Sequence, residues 1–362
     1  MSKETTDGQI IPSGNIIDNY EVIDLIGVGG FGGIYKVKDN RSSKIYAMKT
    51  ESYDSKDKML PIEIDIIKDL KGDSFPKYHD CGKNDEYKFN YLIINCLGAS
   101  ASVIQAYHKY ELDIEIVYYI VLKMLDIIKI FHSLGYTHCD IKPSNFLLQQ
   151  NPNFPFVLID FGCSKKHIDP STNKPFPCTI GKDFLGTRKY ASISVLQSHS
   201  CGRKDDLLSW FYSFLDLSCS ELPWDGIKDK EKVIEIKQSL KLSDLEYKFP
   251  NQFQQIYDYL KKLEYEDEPD YDYIRKIYIE GMESDHFYAD KFDWPKFISN
   301  HSNMDKFEKI VTMCTLKVIN QRNRERNNNI NNQKKIIENK ENTNNHDENP
   351  ESIDTEWHCT IQ

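Results

Sequence analysis

The sequence has no cysteine pairs at metal-ligand spacing, no long apolar run free of charge, no block of basic residues and no internal repeat. Each absence removes a class. Nine scattered cysteines speak against a zinc framework and suit a reducing compartment better than a disulfide scaffold. Met1 to Ser13 carries no apolar core, so no secretory signal is expected and the protein reads as cytoplasmic. The most apolar long stretch, Ile114 to Phe131, is broken by Glu115, Lys123, Asp126 and Lys129. Its Val117, Val121, Met124, Ile128 and Phe131 recur at helical spacing, which predicts a buried amphipathic helix and not a membrane span. A formal net charge of −10, spread along the chain, argues against a general nucleic-acid binder. What remains is a chain of 362 residues, 40 % hydrophobic, long enough for one large two-lobed domain and a tail.

Within it stands His138-Cys139-Asp140-Ile141-Lys142-Pro143-Ser144-Asn145, with Asp160-Phe161-Gly162 following. An Asp with a Lys two residues on and an Asn five residues on supplies a base for a hydroxyl, a cation for a migrating phosphoryl group and an oxygen ligand for Mg²⁺. Asp140 and Lys142 are therefore the expected catalytic residues, and Asn145 with Asp160 the expected metal ligands. Upstream, Gly27-Val28-Gly29-Gly30-Phe31-Gly32 lies between strand-like runs, where glycines let a hairpin backbone approach phosphates. Lys49, in Tyr46-Ala47-Met48-Lys49, follows on a strand positioned to reach the α- and β-phosphates of ATP, and Glu63 stands on a predicted helix able to pair with it. Taken singly these are ordinary residues: loop carboxylates, surface lysines, turn glycines. Their shared order is what points to phosphoryl transfer.

At this point the chain resembles the protein kinases over about Tyr20 to Trp294. Within them it is similar to the casein kinase 1 group, closest to the tau-tubulin kinase branch. Gly186-Thr187-Arg188-Lys189-Tyr190-Ala191-Ser192-Ile193-Ser194 replaces the usual Ala-Pro-Glu signature. Arg203-Lys204-Asp205-Asp206-Leu207, Leu222-Pro223-Trp224, Ile227-Lys228-Asp229-Lys230-Glu231 and Glu268-Pro269-Asp270-Tyr271 follow in that group's order.

The resemblance implies an α+β, bilobal kinase fold, with a β-rich N-lobe over residues 20–97 and an α-helical C-lobe over 98–298. The nucleotide site would comprise Ile26, Gly27, Val28, Gly29, Gly30, Phe31, Gly32, Gly33, Ile34, Ala47, Lys49, Glu63, the hinge residues Asn95 and Leu97, and Leu147, with Ile94 at the back. ATP with Mg²⁺ would be the cofactors. Protein Ser/Thr hydroxyls would be the acceptors, since Lys142 follows the Ser/Thr pattern. Lys182, Lys189 and Lys228 stand at the group's basic positions, which implies a site for acidic or already phosphorylated substrates; the competing reading is three unrelated surface lysines. A monomer is expected. His138 and Asp206 are expected to support the loop.

Three departures bear on activity. Cys139 replaces the Arg that commonly recruits an activation-loop phosphate, so activation by loop phosphorylation is not expected. Gly33 replaces an acidic residue, which should loosen the glycine loop. Pro61 stands two residues before Glu63 and threatens to leave it too near its helix start to dock. These departures keep a second class open, a pseudokinase that binds nucleotide or a partner and signals by conformation.

Residues 1–19 read as an N-terminal extension and 299–320 as an extra helix, with Phe307, Ile310, Val311, Cys314 and Val318 on one face. From 321 to 362 an Asn-rich tail is expected to be disordered, holding eleven asparagines between Gln321 and Pro350. The last four residues, Cys359-Thr360-Ile361-Gln362, match a prenylation box at Cys359, which would give reversible, partial membrane attachment. An unused terminal Cys is the alternative.

Overall fold

In β2 (Tyr20–Val28) and β3 (Gly33–Asp39), buried positions alternate with more open ones: Tyr20 and Val22, then Tyr35, Val37 and Asp39, all face inward. With β1 (Ile16–Ile17), β4 (Ile45–Ser52), β5 (Tyr78–Asn84) and β6 (Phe89–Asn95) they make one antiparallel sheet, in the order β1-β2-β3-β4-β6-β5. One face packs Tyr20, Val22, Tyr35, Val37, Met48, Tyr91 and Ile93 into a small core. The computed structural model describes residues 11–28, 32–181 and 185–301. The residues expected to form an N-terminal extension join this sheet where they are described. Ile17 pairs with Tyr20, and Ile11 and Ile17 are buried in the same core, because a two-sided sheet edge needs apolar cover.

Between β4 and β5 runs α1 (Leu60–Asp69), which carries Glu63. Its N-cap residue Met59 offers no side-chain cap. Glu51, fully buried on β4, supplies one from a distance: its Oε1 accepts from the N–H groups of Met59 at 2.7 Å and Leu60 at 3.0 Å. Pro61 then sits in the first turn, where its missing N–H costs no helix bond.

The second half is helical: α2 (Ala101–Tyr107), α3 (Ile114–Ser133), α4 (Ile193–Leu196), α5 (Arg203–Ser218), α6 (Lys230–Ser239), α7 (Asn251–Lys262), α8 (Tyr271–Ser284) and α9 (Trp294–His301). Short strands punctuate it. β7 (Tyr136–Thr137) pairs with β10 (Lys165–Lys166), β8 (Phe146–Leu148) with β9 (Phe156–Leu158), and β11 (Ile168–Asp169) with β12 (Lys174–Pro175). The predicted helix over Ile114 to Phe131 is present, and its five apolar marker residues are all buried. It is less one-sided than expected, since Tyr118, Tyr119, Ile120, Leu122, Leu125 and Ile127 are buried too, enclosed by neighbouring helices. None of the described helices is long and apolar enough to cross a membrane. α5 is buried nearly end to end and forms the spine of this lobe, with Trp210 donating to the carbonyl of Val121. α9 runs past the expected domain end at residue 298. The β-rich and helical lobes together give the expected α+β architecture. The rest of the predicted extra helix, the Asn-rich tail and Cys359 lie outside the described residues.

Candidate active site

The loop between β7 and β8 is held from below by one carboxylate. Asp206, fully buried on α5, accepts from the backbone N–H of His138 at 2.6 Å and of Cys139 at 2.8 Å, and pairs with His132 Nε2 at 2.9 Å. Burial works against its charge, but His132 and His138 outweigh it and hold the carboxyl below its ordinary range. Cys139 is thereby kept at φ +67°, a left-handed conformation that a non-glycine residue occupies only under outside constraint. His138 Nε2 lies 3.0 Å from the carbonyl of Ile159 and its ring packs edge-on against Phe161. It supports the loop, as expected.

Asp140 is the focus of this loop. Its Oδ2 takes a hydrogen bond from Lys142 Nζ at 2.6 Å, and its Oδ1 takes the backbone N–H of Thr187 at 2.8 Å. Lys142 Nζ also donates to Thr187 Oγ1 at 2.9 Å. Base, cation and activation segment therefore meet at one point. Gly186 permits that approach: at φ +120°, an added Cβ would stand 3.0 Å from the Cys139 carbonyl and 3.3 Å from Asp140 Oδ1. Asn145 donates its amide to the Asp140 carbonyl at 2.8 Å, which leaves the amide oxygen to serve a cation.

On the sheet side, Lys49 Nζ contacts Glu63 Oε2 at 2.6 Å and Asp160 Oδ1 at 2.6 Å. The concern over Pro61 is thus corrected. Glu51 caps the helix start, so Glu63 docks one turn in and is buried. Burial pushes the Glu63 carboxyl up against the pull of Lys49. At Asp160 burial acts the same way, but Lys49 prevails and holds that carboxyl below its ordinary range. Asp160 stands at φ +67° as Phe161 anchors beside Phe75, Phe131 and His138. Asp160 and Asn145 are hard oxygen donors on adjoining segments, joined by the Ile159 N–H to Asn145 carbonyl bond. A site with few protein ligands of this kind fits Mg²⁺, which keeps waters and phosphate oxygens in its shell.

The expected purine-binding side chains lie on neighbouring strands: Ile34 opposite Gly27 and Lys49, and Ala47 opposite Ile94. Leu147 is on β8, and Ile26 and Val28 on β2. Gly32 has no room for a side chain, since a Cβ would lie 2.1 Å from the Thr50 carbonyl. Gly33 was expected to loosen the loop. Instead its N–H and C=O are both bonded to Thr50 Oγ1, at 3.0 and 2.9 Å, so this end of the loop is tied to β4. Gly29, Gly30 and Phe31 lie outside the described residues. Asn95 can offer a nucleotide its backbone carbonyl but not its N–H. Its N–H donates to Lys77 O at 3.2 Å and its side-chain oxygen accepts the Lys77 N–H at 2.6 Å, so those groups close the β5 end of the sheet. The Asn95 carbonyl and Leu97 stay the candidate hinge contacts.

Of the three basic positions, Lys189 and Lys228 lie among the described residues. Lys189 Nζ is enclosed by Asp216 Oδ1 at 2.5 Å and Asp225 Oδ2 at 2.8 Å, so its charge is already answered and it serves the fold. Lys228 is exposed, and Lys182 lies outside the described residues. Beside Lys228, exposed Arg188 donates to the Lys228 carbonyl at 2.5 Å.

Sequence reasoning missed Glu51 as the remote helix cap, Thr187 as the partner of base and cation, and Lys237. The first two depend on contacts between distant segments. Lys237 had a local signal: it follows Val233 and Ile234 at helical spacing, on the buried face of α6.

Comparison with known proteins agrees with this geometry. The family model described as "Protein kinase domain" matches residues 20–356. A probable serine/threonine-protein kinase of Dictyostelium discoideum is 34 % identical over 265 residues, covering 71 % of this chain and 52 % of that protein. The chain thus spans about half the length of this relative. With Asp140, Lys142, Asn145, Asp160, Lys49 and Glu63 gathered in the arrangement that phosphoryl transfer requires, the chain belongs to the protein kinase family.

Proposed function

We propose that the protein is an ATP-dependent serine/threonine kinase of the casein kinase 1 group, nearest its tau-tubulin kinase branch. The observation that carries the activity is the junction of Asp140, Lys142 and Thr187. An acceptor hydroxyl brought there meets a carboxylate able to take its proton and an ammonium able to steady the transferred phosphoryl group. Bound Mg²⁺ would screen the phosphates, held by Asn145 and Asp160, while Lys49 grips the α/β-phosphates. The purine edge would be met by the Asn95 carbonyl and by Leu97, since the Asn95 N–H is engaged. Ser/Thr specificity is supported by Lys142 and by the similarity to a probable serine/threonine-protein kinase. Acidic or primed substrates would be drawn by exposed Lys228 and Arg188, with Lys182 as a third cation. Membrane attachment through Cys359 would show as a farnesyl methyl ester gain, with loss of the last three residues, in intact mass from a eukaryotic host.

The test is phosphate transfer from Mg-ATP to acidic Ser/Thr peptides. Asp140→Asn should lower kcat by about 10²–10⁴-fold, the usual worth of a positioned base, and Lys49→Met should abolish transfer. Wild-type incorporation no greater than that of the variants would return the protein to the pseudokinase reading.

A further inference from the structure

Lys237 is fully buried, and among the described residues no carboxylate forms an ion pair with it. Its ammonium donates to three backbone carbonyls: Ala191 at 2.7 Å, Lys189 at 2.9 Å and Arg188 at 3.4 Å. The rings of Tyr212 and Trp224 flank it, with centroids 4.3 and 5.0 Å away. If the position only filled space between two aromatic rings, a Leu or Met would fill it without the cost of burying an ammonium. Three carbonyls converging on one point are another matter. One ammonium with three N–H donors can serve all three at once, and the ring faces favour a cation there.

Those carbonyls belong to the strip that begins at Thr187, the residue bonded to Asp140 and Lys142. The same strip is tied by Trp224 Nε1 to the Lys189 carbonyl at 2.9 Å and by the Lys189 side chain to Asp216 and Asp225. Because Thr187 is bonded to Asp140, a hydroxyl that reaches Asp140 arrives beside this strip. The usual Ala-Pro-Glu anchor is absent here, and Lys237 occupies the underside of the strip.

We propose that Lys237 is a positioning residue for the protein substrate: it fixes the course of residues 188–191 so that an incoming peptide chain is presented to Asp140. The proposal rests on the kinase reading and adds the part of the molecule that sets peptide affinity. The Lys237 ammonium bonds the carbonyls of residues 188, 189 and 191 and none of the nucleotide-site residues, so its effect should fall on the peptide.

The experiment uses the full chain with Mg-ATP and an acidic Ser peptide, comparing wild type, Lys237→Met and Lys237→Arg. Lys237→Met should raise the peptide KM by about ten- to a hundredfold, the scale of a small misplacement in a bound reactant, with the ATP KM and the slow ATP hydrolysis without peptide unchanged. Lys237→Arg should recover most of the peptide affinity. A wild-type peptide KM in Lys237→Met, or an equal rise in peptide and ATP KM, would overturn the proposal. So would failure of the Arg variant to rescue while melting like wild type. Should Lys237→Met not fold, Lys237→Gln, which keeps two donors, is read by the same split. Absence of transfer by the wild type would instead refute the kinase reading, so the two failures are distinct.

Discussion

The backbone N–H of Thr187 donates to Asp140 Oδ1 at 2.8 Å, so the activation segment is fastened to the base itself. Where a kinase lacks such a tie, a phosphate on the segment and an Arg beside the base commonly supply order. Here Cys139 occupies that Arg position and offers no charge, while Thr187, Lys142 and Asp140 close a ring of contacts. Phosphatase treatment of purified protein should leave its initial rate of peptide phosphorylation essentially unchanged. A large loss, mapped to a residue between Gly162 and Ser192, would mean that the observed ties are insufficient.

Asp206 bears the catalytic loop. Truncating it strands the N–H groups of His138 and Cys139 and the ring of His132 inside the protein. Asp206→Ala should cost about 3–5 kcal/mol in denaturant unfolding, the range for removing one partner of a buried charged network. Activity should fall further than stability alone explains, because Cys139 loses the constraint that holds its positive φ. A loss below about 1 kcal/mol would show that the loop holds itself without this carboxylate.

The linear motifs made the catalytic residues legible, because a short loop keeps Asp140, Lys142 and Asn145 together whatever surrounds it. The fate of Glu63 was not legible: Pro61 is adjacent in sequence, whereas the Glu51 that rescues the helix start is on a neighbouring strand. Lys189 misled for the same reason. It matches a basic position, but Asp216 on α5 and Asp225 after it close around the ammonium only in the folded chain. Local patterns identify which groups are available, and tertiary contacts decide which remain free.

Substrate charge preference then follows from what is left. Lys228→Glu should weaken phosphorylation of acidic or primed peptides more than of neutral ones, and added salt should narrow the gap, since exposed charges are screened. Lys189→Ala should lower rates on both peptide classes alike, because it leaves Asp216 and Asp225 facing each other inside the lobe. Equal effects of Lys228→Glu on both classes would remove the exposed cation from substrate selection.

Lys237 makes pH the last test. Burial pushes its pKa from the ordinary 10.5 down to about 7, opposed by the nearby carboxylate of Asp225. The groups around it do not titrate with it near neutrality. Tyr212 on α5 and Tyr257 on α7 are pushed above the ordinary phenol range by burial, Lys189 is held charged by Asp216 and Asp225, and α4 contributes no ionisable side chain. Below about pH 7 the ammonium offers three donors to three carbonyls; above it the neutral amine offers only two. Peptide KM should therefore rise as pH increases through this value in wild type, and stay flat in Lys237→Arg. Stability runs the other way. Between the folded value near 7 and the unfolded value near 10.5, the unfolded chain binds the extra proton, so raising pH favours the folded state. Relative to Lys237→Met, wild-type unfolding free energy should climb across that window while peptide affinity declines. Peptide KM and unfolding that both stay level with pH would show that Lys237 keeps its proton throughout and that burial is fully offset by its carbonyl partners.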